Sequence, residues 1–179
     1  GNFDFHRGID TIIESLNYLN KYDNIILSIV GNIKNADRIH QLINNYQLSD
    51  KIVFEGFINI GKLQNFFERA DIGIIPHLKS VQTDNSSPNK LYQYMLMNTP
   101  VISTNCNSVQ RIINECNSGL IYTSGNSKQL AEKIESLYLD RSLCEQLAKN
   151  GVNAIRTKYN FSKSKERLVN LYKKIKSTI

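Results

Sequence analysis

Several stretches of this 179-residue sequence carry side chains able to hold an anion. In Asn2-Phe3-Asp4-Phe5-His6-Arg7-Gly8, Arg7 stands where a helical pattern begins. A helix N-terminus is the positive end of the helix dipole, so a cation placed there does not serve the helix. It suits a negatively charged ligand shared with the first backbone N–H groups. A solvated surface arginine is the other reading of the same residue. A second stretch runs from Pro76 to Ser87 and ends in Ser87-Pro88, an expected N-cap followed by proline at the first helical position. The unpaired N–H groups of that helix start, with Ser86, Ser87 and Lys90, form an anion site suited to a diphosphate. Many helices open on Ser-Pro without binding anything. His77 directly follows a strand pattern and could reach a ligand, although a lone histidine is more often a hydrogen-bonded structural residue. Gly56-Phe57 and Thr104–Ser108 also follow strand patterns, and ordinary turn chemistry accounts for either.

These stretches matter because ligands of open parallel sheets bind outside the carboxyl ends of the strands. Ile9, Ile12, Ile13, Leu16 and Leu19 recur at helical spacing, and Ile25–Val30 is a continuous apolar run ending at Gly31. The alternation predicts helices near 36–46, 62–69, 88–97 and 109–114, with strands at 51–54, 72–75, 101–103 and 120–122. Strands this apolar need cover on both faces, so the expected fold is α/β, a Rossmann-like parallel sheet flanked by helices. From about residue 127 the pattern is helical only, over 127–138, 141–158 and 162–177, with Gly151 as a weak point in the middle helix. The first eight residues enter a helix as a strand-to-helix loop would, with no strand pattern before them. That predicts a chain starting just after a sheet strand, part of something larger.

Residues 1–179 are expected to form a single domain with a helical extension from about 127. The composition, 41% hydrophobic and 21% charged with 3 prolines and 9 glycines, excludes disordered and fibrous classes. No stretch approaches the roughly 20 apolar residues of a membrane-spanning helix, so a cytoplasmic protein is expected. Cys106, Cys116 and Cys144 show no C-x-x-C spacing and His6, His40 and His77 are scattered, which supports neither a disulfide framework nor a metal site. The net charge is +6, and from Lys128 onward 12 Lys and Arg face 5 Asp and Glu, so the whole basic excess lies at that end. A solvated helix face explains it. The functional alternative is peripheral docking to an anionic membrane surface. Nucleic-acid binding is disfavoured, since no stacking aromatics accompany the lysines in a recognisable module.

In their order, these features resemble the donor-binding, C-terminal half of family-4 glycosyltransferases of the two-Rossmann-domain (GT-B) type. The residues carrying the resemblance are Arg7-Gly8-Ile9-Asp10, Leu27-Ser28-Ile29-Val30-Gly31, Val53-Phe54-Glu55-Gly56-Phe57 and Ala70-Asp71-Ile72-Gly73-Ile74-Ile75-Pro76. They continue through Ser87-Pro88-Asn89-Lys90-Leu91-Tyr92-Gln93-Tyr94-Met95, Pro100-Val101-Ile102 and Gly119, nearly the whole chain. The resemblance implies a UDP- or GDP-linked sugar as donor substrate and no cofactor. It places the diphosphate on Arg7 and the Ser86, Ser87, Asn89, Lys90 segment, and the base near Phe57. Fixed cations and helix N–H groups then neutralise the departing nucleotide in place of a metal, which agrees with the lack of an Asp-x-Asp pair. The implied reaction is retaining transfer of the sugar to a glycan or lipid-linked acceptor in bacterial surface-polysaccharide assembly. Its catalytic residues and acceptor site lie mainly in an N-terminal domain outside this sequence, so this chain alone is expected to be inactive.

Three positions depart from the family pattern. The family arginine after the first-loop glycine is Asn2 here, and its two glutamates, eight positions apart, fall on Asn85 and Gln93. Amides both donate and accept, so Gln93 can still meet ribose hydroxyls and Asn85 a sugar hydroxyl, without carboxylate chemistry. Asp84 is the only acid nearby. A nucleotide-sugar epimerase of the same architecture and a non-catalytic nucleotide- or sugar-binding module remain the competing functions.

Overall fold

A computed structural model describes residues 2–3, 7–33 and 36–176. Strand β1 (Asn2–Phe3) leads to helix α1 (Ile9–Asn17), β2 (Leu27–Val30), β3 (Asn32–Ile33), α2 (Ala36–Asn45), β4 (Ile52–Gly56) and α3 (Ile60–Arg69). There follow β5 (Gly73–Ile75), α4 (Val81–Asp84), α5 (Asn89–Leu96), β6 (Val101–Thr104), α6 (Asn107–Cys116) and β7 (Gly119–Tyr122). Helices α7 (Ser127–Leu139), α8 (Arg141–Thr157) and α9 (Phe161–Lys176) complete the order. Every described strand pair is parallel, in the sets β1-β3, β2-β4 and β5-β6-β7.

β6 shows why helices lie on both faces. Successive side chains of a strand point to opposite sides, and all four residues of β6 are buried. Ile102 joins a core built from α1, α2, β2 and α7 through Ile13, Leu16, Ile29, Ile43 and Leu130. Its neighbour Val101 joins a second core with Leu91 and Met95 of α5, Ile112 and Ile113 of α6 and Ala154 of α8. The expected parallel α/β architecture is therefore the one observed.

Four local expectations change. The first loop is not all coil, because Asn2 and Phe3 pair in parallel with Asn32 and Ile33. The segment after β5 contains α4, whose start Ser80 caps by accepting from the Thr83 N–H at 3.2 Å while Thr83 Oγ1 receives the Ser80 N–H. The N-cap of α5 is Pro88, not Ser87. Pro88 is extended at φ −69 and ψ 139, and its carbonyl accepts the first bond, from the Leu91 N–H at 3.0 Å. Finally, α8 runs unbroken through Gly151, which is buried against Met95 of α5, so the missing side chain permits close helix packing.

Candidate functional site

Gly8 lies tight against the chain just after β5. Its φ of 65 is a left-handed conformation, and a Cβ there would overlap the Pro76 carbonyl oxygen. Only glycine lets the start of α1 press against the end of β5 in this way. The contact sets Arg7 beside His77, with the Arg7 Nη1 donating to His77 Nε2 at 3.0 Å. His77 is only 5% exposed. Its carbonyl accepts from Thr104 Oγ1 at 2.8 Å and from Cys106 Sγ at 3.6 Å, which ties the end of β5 to the end of β6.

Lys90, in the first turn of α5, completes a cationic cluster. Burial, and then the Arg7 charge, lower its amine to about 8. Among the described residues no carboxylate pairs with Lys90 or Arg7, and the buried Arg7 Nε has no hydrogen-bond partner. No side chain caps α5, so N–H groups of its first turn stay open beside the cluster. Two cations, one of them hydrogen-bonded to His77, an unpartnered donor and an uncapped helix N-terminus are the chemistry that suits a multiply charged anion.

The other expected residues are distributed around this cluster. Ser86 and Asn89 are exposed, and Ser87 and Gln93 are half-buried, with Gln93 one turn beyond Asn89 on α5. Asn85 is exposed, and its Nδ2 donates to the Val81 carbonyl at 2.8 Å, folding the amide back onto α4. Phe57 follows Gly56 at the carboxyl end of β4 and is 87% exposed, with no described contact to the cluster. Asn2 lies in β1, its side chain outside the described residues, as are Asp4, Phe5 and His6.

Sequence reasoning missed the network behind the loop. Asp84 Oδ1 accepts from the Asn107 N–H at 2.8 Å, at the start of α6, and lies 3.5 Å from Lys79 Nζ. Lys79 Nζ also donates to the Asn105 carbonyl at 2.9 Å and to Asn107 Oδ1 at 3.0 Å. The Lys79 N–H donates to Ser124 Oγ at 2.8 Å. Asp84 is thus a cap and an ion-pair partner rather than a free acid. The only signal for this was a charged pair in a loop, with nothing to name its partners. Two depressions, of about 200 and 470 Å³, lie away from the site, one lined by Glu115, Cys116 and Lys158 and the other by Leu96, Asn98 and Arg156.

Residues 1–154 match the family model described as "Glycosyl transferases group 1". The chain belongs to that family. It is 25% identical over 153 residues to the lipopolysaccharide core biosynthesis glycosyltransferase LpsE of Rhizobium meliloti, covering 84% of this chain and 42% of the relative. This chain spans less than half the length of the first curated relatives it matches, 43% and 42%. Among solved structures it resembles the C-terminal domain of the group 1 glycosyl transferase LpcC from Francisella tularensis. The TM-score is 0.78 at 23% identity, over 90% of this chain and 84% of that one. HepE of Anabaena, crystallised with UDP-glucose, aligns with a TM-score of 0.81 at 16% identity over 97% of this chain and 47% of that one. The resemblance drawn from the motifs therefore holds for family and for fold, the C-terminal half of a GT-B glycosyltransferase.

Proposed function

We propose that this chain is the donor-binding domain of a retaining glycosyltransferase. It would hold a UDP- or GDP-linked sugar for transfer to a glycan or lipid-linked acceptor in surface-polysaccharide assembly. The observation that carries this reading is the cluster of Arg7, Lys90 and the uncapped α5 N-terminus at the sheet's carboxyl edge. A diphosphate there is met by charge already in place. Negative charge developing on the departing nucleotide is stabilised by groups that need not reorganise, which is how fixed dipoles and cations lower a transfer barrier. Gln93 faces the ribose in this reading, Asn85 the sugar and Phe57 the base. The names of LpsE and of the capsular polysaccharide glycosyltransferase CapM of Staphylococcus aureus support the polysaccharide setting. UDP-glucose bound to HepE supports the donor class.

The acceptor site and the catalytic groups then belong to the part of the relatives that this chain does not span, and the chain alone binds nucleotide weakly and transfers little sugar. Thermal melts with UDP, GDP and their sugars test the reading, because a ligand bound only to the folded state raises the melting temperature. A rise with one nucleotide family supports it, and no rise with any at millimolar concentration counts against it. One observation favours a non-catalytic nucleotide-sugar-binding module instead. Among the described residues, the acid at the loop, Asp84, is committed to α6 and Lys79, while the family glutamate positions hold amides. Binding of donor without sugar release by the longer protein, with acceptor supplied, would select that second reading.

For the basic end, the reading is contact with an anionic membrane. α9 has no buried residue, and it bears Lys163, Lys165, Arg167, Lys173, Lys174 and Lys176 together with exposed Phe161, Leu168, Leu171, Tyr172 and Ile175. Co-sedimentation with phosphatidylglycerol vesicles should fall when Lys163, Lys165 and Lys173 are neutralised. Unchanged sedimentation would remove the membrane from the reading.

A further inference from the structure

Resting on the donor-site reading above, we propose that His77 is the positioning residue for Arg7, holding its guanidinium in the orientation that meets the diphosphate. An arginine stays protonated at any accessible pH and has donors only, so at 3.0 Å from its Nη1 the His77 Nε2 must be the acceptor. That fixes the neutral tautomer with its proton on Nδ1. The imidazole is a firm anchor because its own strand end is fastened. Its carbonyl takes hydrogen bonds from Thr104 and Cys106, and the neighbouring Pro76 carbonyl sits against Gly8. At 5% exposure His77 stands behind Arg7 and not in front of it, so its effect on the ligand passes through the guanidinium. Arginine loses rotamer freedom when it binds an anion, and a side chain already held loses less. The Arg7 Nε, buried and without a hydrogen-bond partner, is one donor of the guanidinium that the bond to His77 leaves open.

Calorimetric titration of the 179-residue chain with UDP and with GDP tests this in the wild type, H77L, H77Q, R7A and the R7A/H77L pair. We expect H77L to weaken binding about tenfold, the scale of one hydrogen bond to a charged group. H77Q recovers binding to within about threefold, because its amide oxygen accepts where Nε2 did, and H77L has no further effect once Arg7 is alanine. Equal losses in H77L and H77Q, or the same H77L loss with and without Arg7, overturn the proposal. A second measurement needs no ligand. The long-range 1H–15N spectrum of His77 in the free chain should show the Nδ1–H tautomer and change on Arg7→Ala, and an Nε2–H tautomer or an unaltered spectrum refutes the pairing. If the wild type binds neither nucleotide, it is the donor-site reading that fails, and the spectrum still decides whether His77 holds Arg7.

Discussion

Lys90 is placed where its charge costs the folded chain, and the proposed donor diphosphate would offset that cost. Its amine is lowered from 10.5 to about 8, mainly by burial and then by Arg7. Below about pH 8 the lysine is charged in both the folded and unfolded states, and the folded chain bears the whole penalty. Between about 8 and 10.5 the unfolded chain binds more protons than the folded one, so stability rises with pH in that window. K90M removes the penalty. We expect it to stabilise the nucleotide-free chain at pH 7 by about 1–3 kcal/mol. The advantage should shrink as pH rises from 8 and vanish near 10.5, while affinity for UDP or GDP falls. Urea unfolding at pH 7, 9 and 10.5 checks the sign. A destabilised K90M at pH 7 would mean that the lysine has a favourable partner in the empty protein. The candidate phosphate residues Arg7 and Lys90 are legible in sequence because each sits at a recognisable helix start. The role of His77 is not, since its partner is 70 residues away and the pairing exists only after β5 and the first loop meet at Gly8.

At the scale of elements, α6 depends on a neighbour for its first turn. Its N-cap, Cys106, makes no side-chain cap bond, and Asp84 at the end of α4 accepts the Asn107 N–H instead. Asp84→Ala therefore removes a helix cap and an ion-pair partner of Lys79 together, with an expected loss of about 1–2 kcal/mol by chemical denaturation. Amide exchange at Asn107 should rise in the variant, and unaltered exchange there would show that the cap is dispensable. Gly8→Ala should cost more, about 2 kcal/mol or above, because a left-handed backbone and an overlap with the Pro76 carbonyl act together. Helix and strand alternation is legible from periodicity because periodicity is local. α4 escapes such reading, with Val81 at 84% exposure and no apolar face to reveal it. β1 and β3 escape it for another reason, being two residues each and paired across about 30 positions.

The whole molecule divides into a packed α/β body and one helix, α9, that has no buried residue. Every residue of α9 is exposed, although its apolar residues would suffice for a core-facing stripe. Residues 161–179 hold 6 of the 22 Lys and Arg but 1 of the 16 Asp and Glu, so most of the +6 resides in a segment outside both cores. Stability follows buried area, so removing residues 161–179 should shift the melting temperature by less than about 3 °C, within the range of surface changes. Leu147→Ala, in the larger core, should cost about 2–5 kcal/mol by comparison. The same truncation leaves a net charge near +1 and should abolish any vesicle binding while leaving nucleotide affinity unchanged, because Arg7, His77 and Lys90 lie outside the removed segment. Calorimetric melting of the truncated chain against the full one settles the comparison. A loss of 5 °C or more would mean that α9 contributes to the folded body after all. A loss of nucleotide affinity would tie it to the site.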